Sequence, residues 1–166
     1  MKTQENAQEA FAGESQASRK YTAFALKAED EGFPVVAKLF KAAAAAEMIH
    51  AKRLIGVLDL VGSTQENLQA GIEGETEEFT NMYPTFIEIA QNEKQAGAEV
   101  VFTHAMKAEQ VHAGRYKAAL EAVQGGNDFE TSAVYLCPVC GNVEIEKPPA
   151  RCPICGVPGS KFQLIE

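Results

Sequence analysis

Residues 42–53 read Ala42-Ala43-Ala44-Ala45-Ala46-Glu47-Met48-Ile49-His50-Ala51-Lys52-Arg53. Alanine is the strongest helix former, so the stretch reads as helix, and three residues turn a helix by about 300°, which places Glu47 and His50 on one face. The pair recurs 62 residues later as Glu109 and His112, and Arg53 recurs as Arg115. The same offset superposes Tyr21 on Tyr83, Phe24 on Phe86, Glu31 on Glu93, Phe40 on Phe102 and Leu58 on Leu120. A duplicated helical hairpin is the simplest account of this register.

Outward from that pair, breakers are few. Gly32-Phe33-Pro34, Gly62-Ser63-Thr64 and the polar stretch around Asn92-Glu93-Lys94 divide residues 1 to about 124 into four helices, roughly 4–31, 34–61, 64–92 and 95–124. Ser63-x-x-Glu66 reads as a capping box at the third start, and Pro34 suits the first turn of the second helix. Four amphipathic helices with short connections predict an all-α four-helix bundle. Upstream of Tyr83 the repeat slips, because Gly13-Glu14-Ser15 matches Gly74-Glu75-Thr76 at an offset of 61. One extra residue therefore lies between Glu75 and Tyr83, absorbed either by a π-bulge or by a kink at Pro84.

The carboxylates carry the chemistry. Glu14 on the first helix and Glu75 with Glu78 on the third join the two Glu-x-x-His pairs. Five carboxylates converging in an apolar bundle are prohibitive unless protonated, paired or bound to metal, and cations on those faces are too few to pair them. One Glu from each of two helices plus Glu-x-x-His from each of the other two is the general pattern of di-iron and di-manganese bundles. Glu78 is surplus to it. Carboxylate oxygens with one imidazole per metal suit iron or manganese better than zinc. His104 lies about 140° around its helix from Glu109 and is expected not to be a ligand. Tyr21 and Tyr83, matched across the repeat, read either as core packing or as phenols bonded to metal-bound carboxylates.

The texture changes at Gly125-Gly126-Asn127-Asp128. All four cysteines and five of the seven prolines lie beyond it. The expected domains are 1–128, helical, and 129–166, built of turns and short strands. Cys137-Pro138-Val139-Cys140-Gly141 and Cys152-Pro153-Ile154-Cys155-Gly156 form two knuckles separated by 11 residues. So short a tail cannot bury enough apolar surface to fold alone, so a tetrahedral metal is expected to hold it. Zinc and iron both accept four thiolates, and spacing does not separate them; disulfides are the alternative, disfavoured in a reducing compartment.

Composition excludes other classes. Fifteen Lys and Arg against 23 Asp and Glu give a net charge of -8, which argues against nucleic acid or an anionic membrane as partner. Neither a membrane-spanning apolar run nor an apolar stretch behind Lys2 is present, so a soluble cytoplasmic protein is expected.

Taken together, Ala12-Gly13-Glu14-Ser15-Gln16-Ala17, the two Glu-x-x-His motifs, Gly74-Glu75-x-x-Glu78, Met82-Tyr83-Pro84 and the two Cys-Pro-x-Cys-Gly knuckles resemble the rubrerythrin family over essentially the whole chain. A compact tail and short helix connections are the departures. The resemblance implies a ferritin-like domain with a non-haem di-iron centre, followed by a rubredoxin-like domain with one iron in a tetrathiolate site. It implies that Glu47 and Glu109 bridge the irons. Glu14 would bind the first, with His50 or Glu78 according to redox state; Glu75 and His112 would bind the second. The activity implied is reduction of hydrogen peroxide to water, with electrons relayed through the tetrathiolate iron from an NAD(P)H-dependent reductase or a small carrier such as rubredoxin. No Gly-x-Gly-x-x-Gly unit is present to hold a nicotinamide in the chain itself. The alternatives are a ferroxidase or iron-binding bundle with a structural zinc-ribbon tail, and an oxygenase. Helix rise from His112 to Val123, roughly 16 Å, predicts a tail remote from its own chain's site. The resemblance then implies a head-to-tail homodimer, or a higher homo-oligomer, in which one chain's tail serves its partner.

Overall fold

A computed structural model describes all 166 residues. The chain divides into two compact units, Met1–Gly62 and Ser63–Glu166.

The first unit is a helical hairpin of α1 (Lys2–Asp30) and α2 (Pro34–Val57). Small residues let the two backbones approach: Ala25, Ala37 and Ala44 are buried, and the Ser18 hydroxyl donates to the Ala44 carbonyl at 3.0 Å. Helix α2 stops four residues short of the expected end at 61. Asp59 takes a left-handed φ of 53°, and the Leu60 amide turns back to the Ile55 carbonyl at 3.2 Å. Those bonds satisfy carbonyls that a continuing helix would have paired.

The second unit starts with the expected capping box: the Glu66 amide donates to Ser63 Oγ at 3.3 Å and the Ser63 amide to Glu66 Oε2 at 2.7 Å. From there α3 (Thr64–Glu77), a π-helical turn (Glu78–Met82) and α4 (Tyr83–Asn92) run as one helical stretch, followed by α5 (Ala96–Gln124). The π turn lies where the repeat demands one extra residue. Pro84, which has no N–H to give, is the second residue after it, where the ladder is already interrupted. Tyr21, Phe24 and Phe40 form an aromatic trio in the first unit, and Tyr83, Phe86 and Phe102 form its counterpart in the second.

The tail is a three-stranded antiparallel sheet in the order β2-β1-β3, with β1 Val134–Leu136, β2 Val143–Ile145 and β3 Gln163–Ile165. Tyr135 pairs with Glu144 on one side and Leu164 on the other. Both knuckles close alike. Gly141 and Gly156 each adopt a φ of +79°, accessible to glycine, and donate their amides to Cys137 and Cys152 carbonyls at 3.0 and 2.9 Å. A mostly helical chain with a small metal-type C-terminal sheet is what the sequence predicts.

The tail does not remain at the far end of α5. It folds back along that helix, so that a Cβ on Gly141 would lie 4.0 Å from that of Ala108, and Arg115 Nη2 reaches Glu144 Oε2 at 3.2 Å. The remoteness predicted from helix rise is thereby corrected. Rise fixes the distance to the helix end but not the direction the linker then takes.

Candidate metal centres

Three clusters of ligand-type side chains form, each with its donor atoms within 4.8 Å of one another: Glu14, Glu47 and His50; Glu75, Glu109 and His112; and the four cysteines. All the residues of the minimal dinuclear pattern are thus gathered into two triads, one per unit. His104 belongs to neither.

In the first unit α1 supplies Glu14 and α2 supplies Glu47 and His50, whose Nδ1 lies 2.8 Å from Glu47 Oε2. The i,i+3 spacing brings them together on one face, as expected. In the second unit α3 supplies Glu75 and α5 supplies Glu109 and His112. His112 Nδ1 stands 2.7 Å from Glu109 Oε2 and 3.7 Å from Glu75 Oε2. The His112 side chain is 21% exposed against 54% for His50, so this is the more covered of the triads.

The cover is the tail. His112 Nε2 lies 2.9 Å from the Gly141 carbonyl oxygen. A carbonyl only accepts, so Nε2 carries a hydrogen, and Nδ1 is the nitrogen turned toward the carboxylates. This is how metal-binding imidazoles are usually oriented: one nitrogen free for the metal, the other donating to a fixed acceptor.

The electrostatics of the second triad suit a bound cation. Burial, then the charge of Glu109, raises the Glu75 carboxyl above its ordinary range, although His112 opposes the shift. Glu78, the first residue of the π turn, falls outside the triad but close by: burial and the charge of Glu75 raise it in turn. The two carboxylates repel one another, and a donor set of two carboxylates and one imidazole suits iron.

Tyr83 faces the same group. Burial, then Glu78, Glu109 and Glu75, raise its phenol. Tyr21 packs in its aromatic trio against Phe24 and Phe40. Sequence reasoning missed Tyr116, whose phenol is likewise raised by burial and by Glu75 and Glu109. Its ring lies over Gly71, where a Cβ would meet it at 3.0 Å. The available signal was the break in the repeat: Tyr116 matches Leu54 at the common offset.

In the tail, Cys137 and Cys155 sulfurs are 3.6 Å apart and Cys140 and Cys152 sulfurs 3.5 Å. Disulfides need about 2.0 Å, whereas a tetrahedral ion with bonds of about 2.3 Å holds its sulfurs roughly 3.8 Å apart. All four thiols are free. Burial drives the Cys140 thiol far upward; Cys152 is also buried, but amides of Cys155 and Ile154 outweigh this and bring it down to about 7. Four thiolates cannot coexist there without a metal, so the donor set fits one tetrahedrally bound ion.

The comparisons with known proteins agree with this geometry. A family model described as Rubrerythrin matches residues 5–120, and one described as Rubrerythrin, rubredoxin-like domain matches residues 135–163. Rubrerythrin-2 of Clostridium acetobutylicum is 37% identical, over 93% of this chain and 91% of its own length. Nigerythrin of Nitratidesulfovibrio vulgaris is 39% identical over 96% of this chain and 85% of its own. A solved structure of nigerythrin in its fully reduced, all-ferrous state aligns with a TM-score of 0.59 and 37% identity, covering 98% of this chain and 86% of that one.

Proposed function

From the premise that this chain belongs to the rubrerythrin family, di-iron oxidoreductases that reduce peroxide, we propose that it is an NAD(P)H-linked hydrogen peroxide reductase whose tail delivers electrons to its own chain's His112. The cofactors are two non-haem irons and one iron held by four thiolates.

In this reading Glu14, Glu47 and His50 would hold one iron and Glu75, Glu109 and His112 the other, with Glu47 and Glu109 the carboxylates that would be shared. Glu78 would be the carboxylate that takes the place of His50 when the redox state changes. A ferrous pair held there would supply the two electrons that, with two protons, reduce hydrogen peroxide to two waters without releasing a hydroxyl radical.

The chain's own groups do the rest. His112 is held through its Nε2 hydrogen, with Nδ1 turned to Glu75 and Glu109. Tyr83 and Tyr116 place phenolic donors within electrostatic reach of the carboxylates, and Tyr21 is the proposed counterpart of Tyr83 on α1. Cys140, the Gly141 carbonyl and His112 form a continuous route of covalent bonds with one hydrogen bond between the two centres. The observation that carries the proposal is that hydrogen bond, since a storage protein has no use for a thiolate centre docked on a ligand. The chain is further proposed to work in the cytoplasm as a homodimer or larger homo-oligomer, and to take electrons from a separate reductase or a rubredoxin.

The test is an anaerobic spectrum of the fully reduced protein before and after one equivalent of peroxide, with metal analysis. About three irons per chain, rapid oxidation of the di-iron centre and slower oxidation of the thiolate iron are expected. Zinc in the thiolate site would remove the relay and favour the iron-handling alternative.

A further inference from the structure

Asn142 has no place in the scheme so far, and its surroundings are costly. It is fully buried, and its side-chain Oδ1 has no hydrogen-bond partner. An unpaired buried carbonyl oxygen carries an uncompensated desolvation cost. The nitrogen end of the same amide is fully used: Nδ2 donates to Glu144 Oε1 at 2.9 Å and points to Cys152 Sγ at 3.9 Å. Flipping the amide would set its oxygen against a carboxylate and a thiolate, so the orientation is determined. Glu144 in turn accepts from Arg115 through its other oxygen, and Arg115 lies one turn beyond His112 on α5.

We propose that Asn142 is the residue that tunes the reduction potential of the thiolate-bound iron, through its N–H donated to Cys152, and that Glu144, anchored by Arg115, holds the amide in the donating orientation. Reduction adds an electron to a centre already bearing four thiolates. A hydrogen bond to one sulfur offsets part of the added charge and favours the reduced state. The expected direction is therefore upward: Asn142 raises the potential, so that an external donor reduces the tail readily. The carboxylate between the amide and Arg115 adds a second consequence. The orientation of the donor depends on a contact with the helix that carries His112, so the potential is set in the docked tail. The inference rests on iron occupying the thiolate site, as proposed above.

The test is a redox titration of the visible absorption of the thiolate iron in the full-length protein, with iron content measured alongside. Asn142→Leu removes both N–H groups and is expected to shift the potential downward with iron content retained. An unchanged or raised potential at full iron content would overturn the proposal. A second measurement needs no variant: asparagine carrying 15N only at the side-chain amide is incorporated into the wild-type chain, and electron–nuclear double resonance is recorded on the ferric thiolate centre. A resolved 15N coupling is expected, because Asn142 is the asparagine placed at the cluster; absence of coupling overturns the hydrogen bond. Zinc in the thiolate site would instead defeat the functional reading, and metal analysis shows this before either experiment begins.

Discussion

His112 donates its Nε2 hydrogen to the carbonyl oxygen of Gly141, 2.9 Å away and 29 residues further along the same chain. One imidazole therefore faces the Glu75 and Glu109 carboxylates through one nitrogen and the first cysteine knuckle through the other. A relay between partner chains and a relay within one chain now predict different outcomes for mixed assemblies. Co-purified oligomers that combine His112→Ala chains with Cys152→Ser chains should show no recovered peroxidase activity, because each chain lacks one end of its own route. Recovery to about half the wild-type rate would place the electron transfer between chains.

Cys152→Ser alone should unfold the tail and remove about one iron per chain, while α3 and α5 keep their helicity. The metal sites are built from separate segments, and a tail this small depends on its metal for folding. Peroxide should still oxidise the di-iron centre once, seen as a single absorbance change without turnover. Normal turnover with a reductase would remove the thiolate centre from the pathway.

Glu78 begins the π turn and feels the charge of Glu75. Oxidising two irons adds two positive charges to a poorly solvated site, and a carboxylate that replaces a neutral imidazole offsets one of them. Glu78→Ala should retain two ferrous ions, raise the di-iron potential and slow peroxide turnover by about 10–100-fold. Unchanged turnover and potential would reduce Glu78 to a bystander at the edge of the triad.

Deleting Thr80 tests the π turn itself. It shortens Glu75-to-Tyr83 to the seven-residue spacing of Glu14 and Tyr21, a spacing that α1 already accommodates in regular helix. The deletion variant should keep its far-UV circular dichroism and its iron, yet lose turnover to the extent seen with Glu78→Ala, since the displaced carboxylate is the one the π turn presents. Full activity would show that the extra residue has no part in the chemistry.

The repeat, the helix breaks and the extra residue before Tyr83 were legible because each is written in local spacing. So were the two Glu-x-x-His pairs, whose i,i+3 spacing needs only a helix to bring the side chains together. Arg115 was visible as a repeat match to Arg53, but its pairing with Glu144 was not, because nothing local links positions 29 residues apart. Asn142 resembles an ordinary turn residue until the sheet buries it. The direction of the tail was misjudged for the same reason: a linker of about eight residues leaves many orientations open, and the choice among them is made by the fit of Gly141 against Ala108 and His112.

That fit ties the filling of one metal site to the filling of the other. Iron among the cysteines orders the loop that presents the Gly141 carbonyl, and an ordered carbonyl holds the His112 ring ready for its own ion, sparing the ring the entropy of finding its orientation. Linkage is reciprocal, so iron at His112 must strengthen docking of the tail by the same factor. Loading of the thiolate site and of the His112 site is therefore expected to be cooperative, so that scarce iron leaves more chains filled at both than independent binding would.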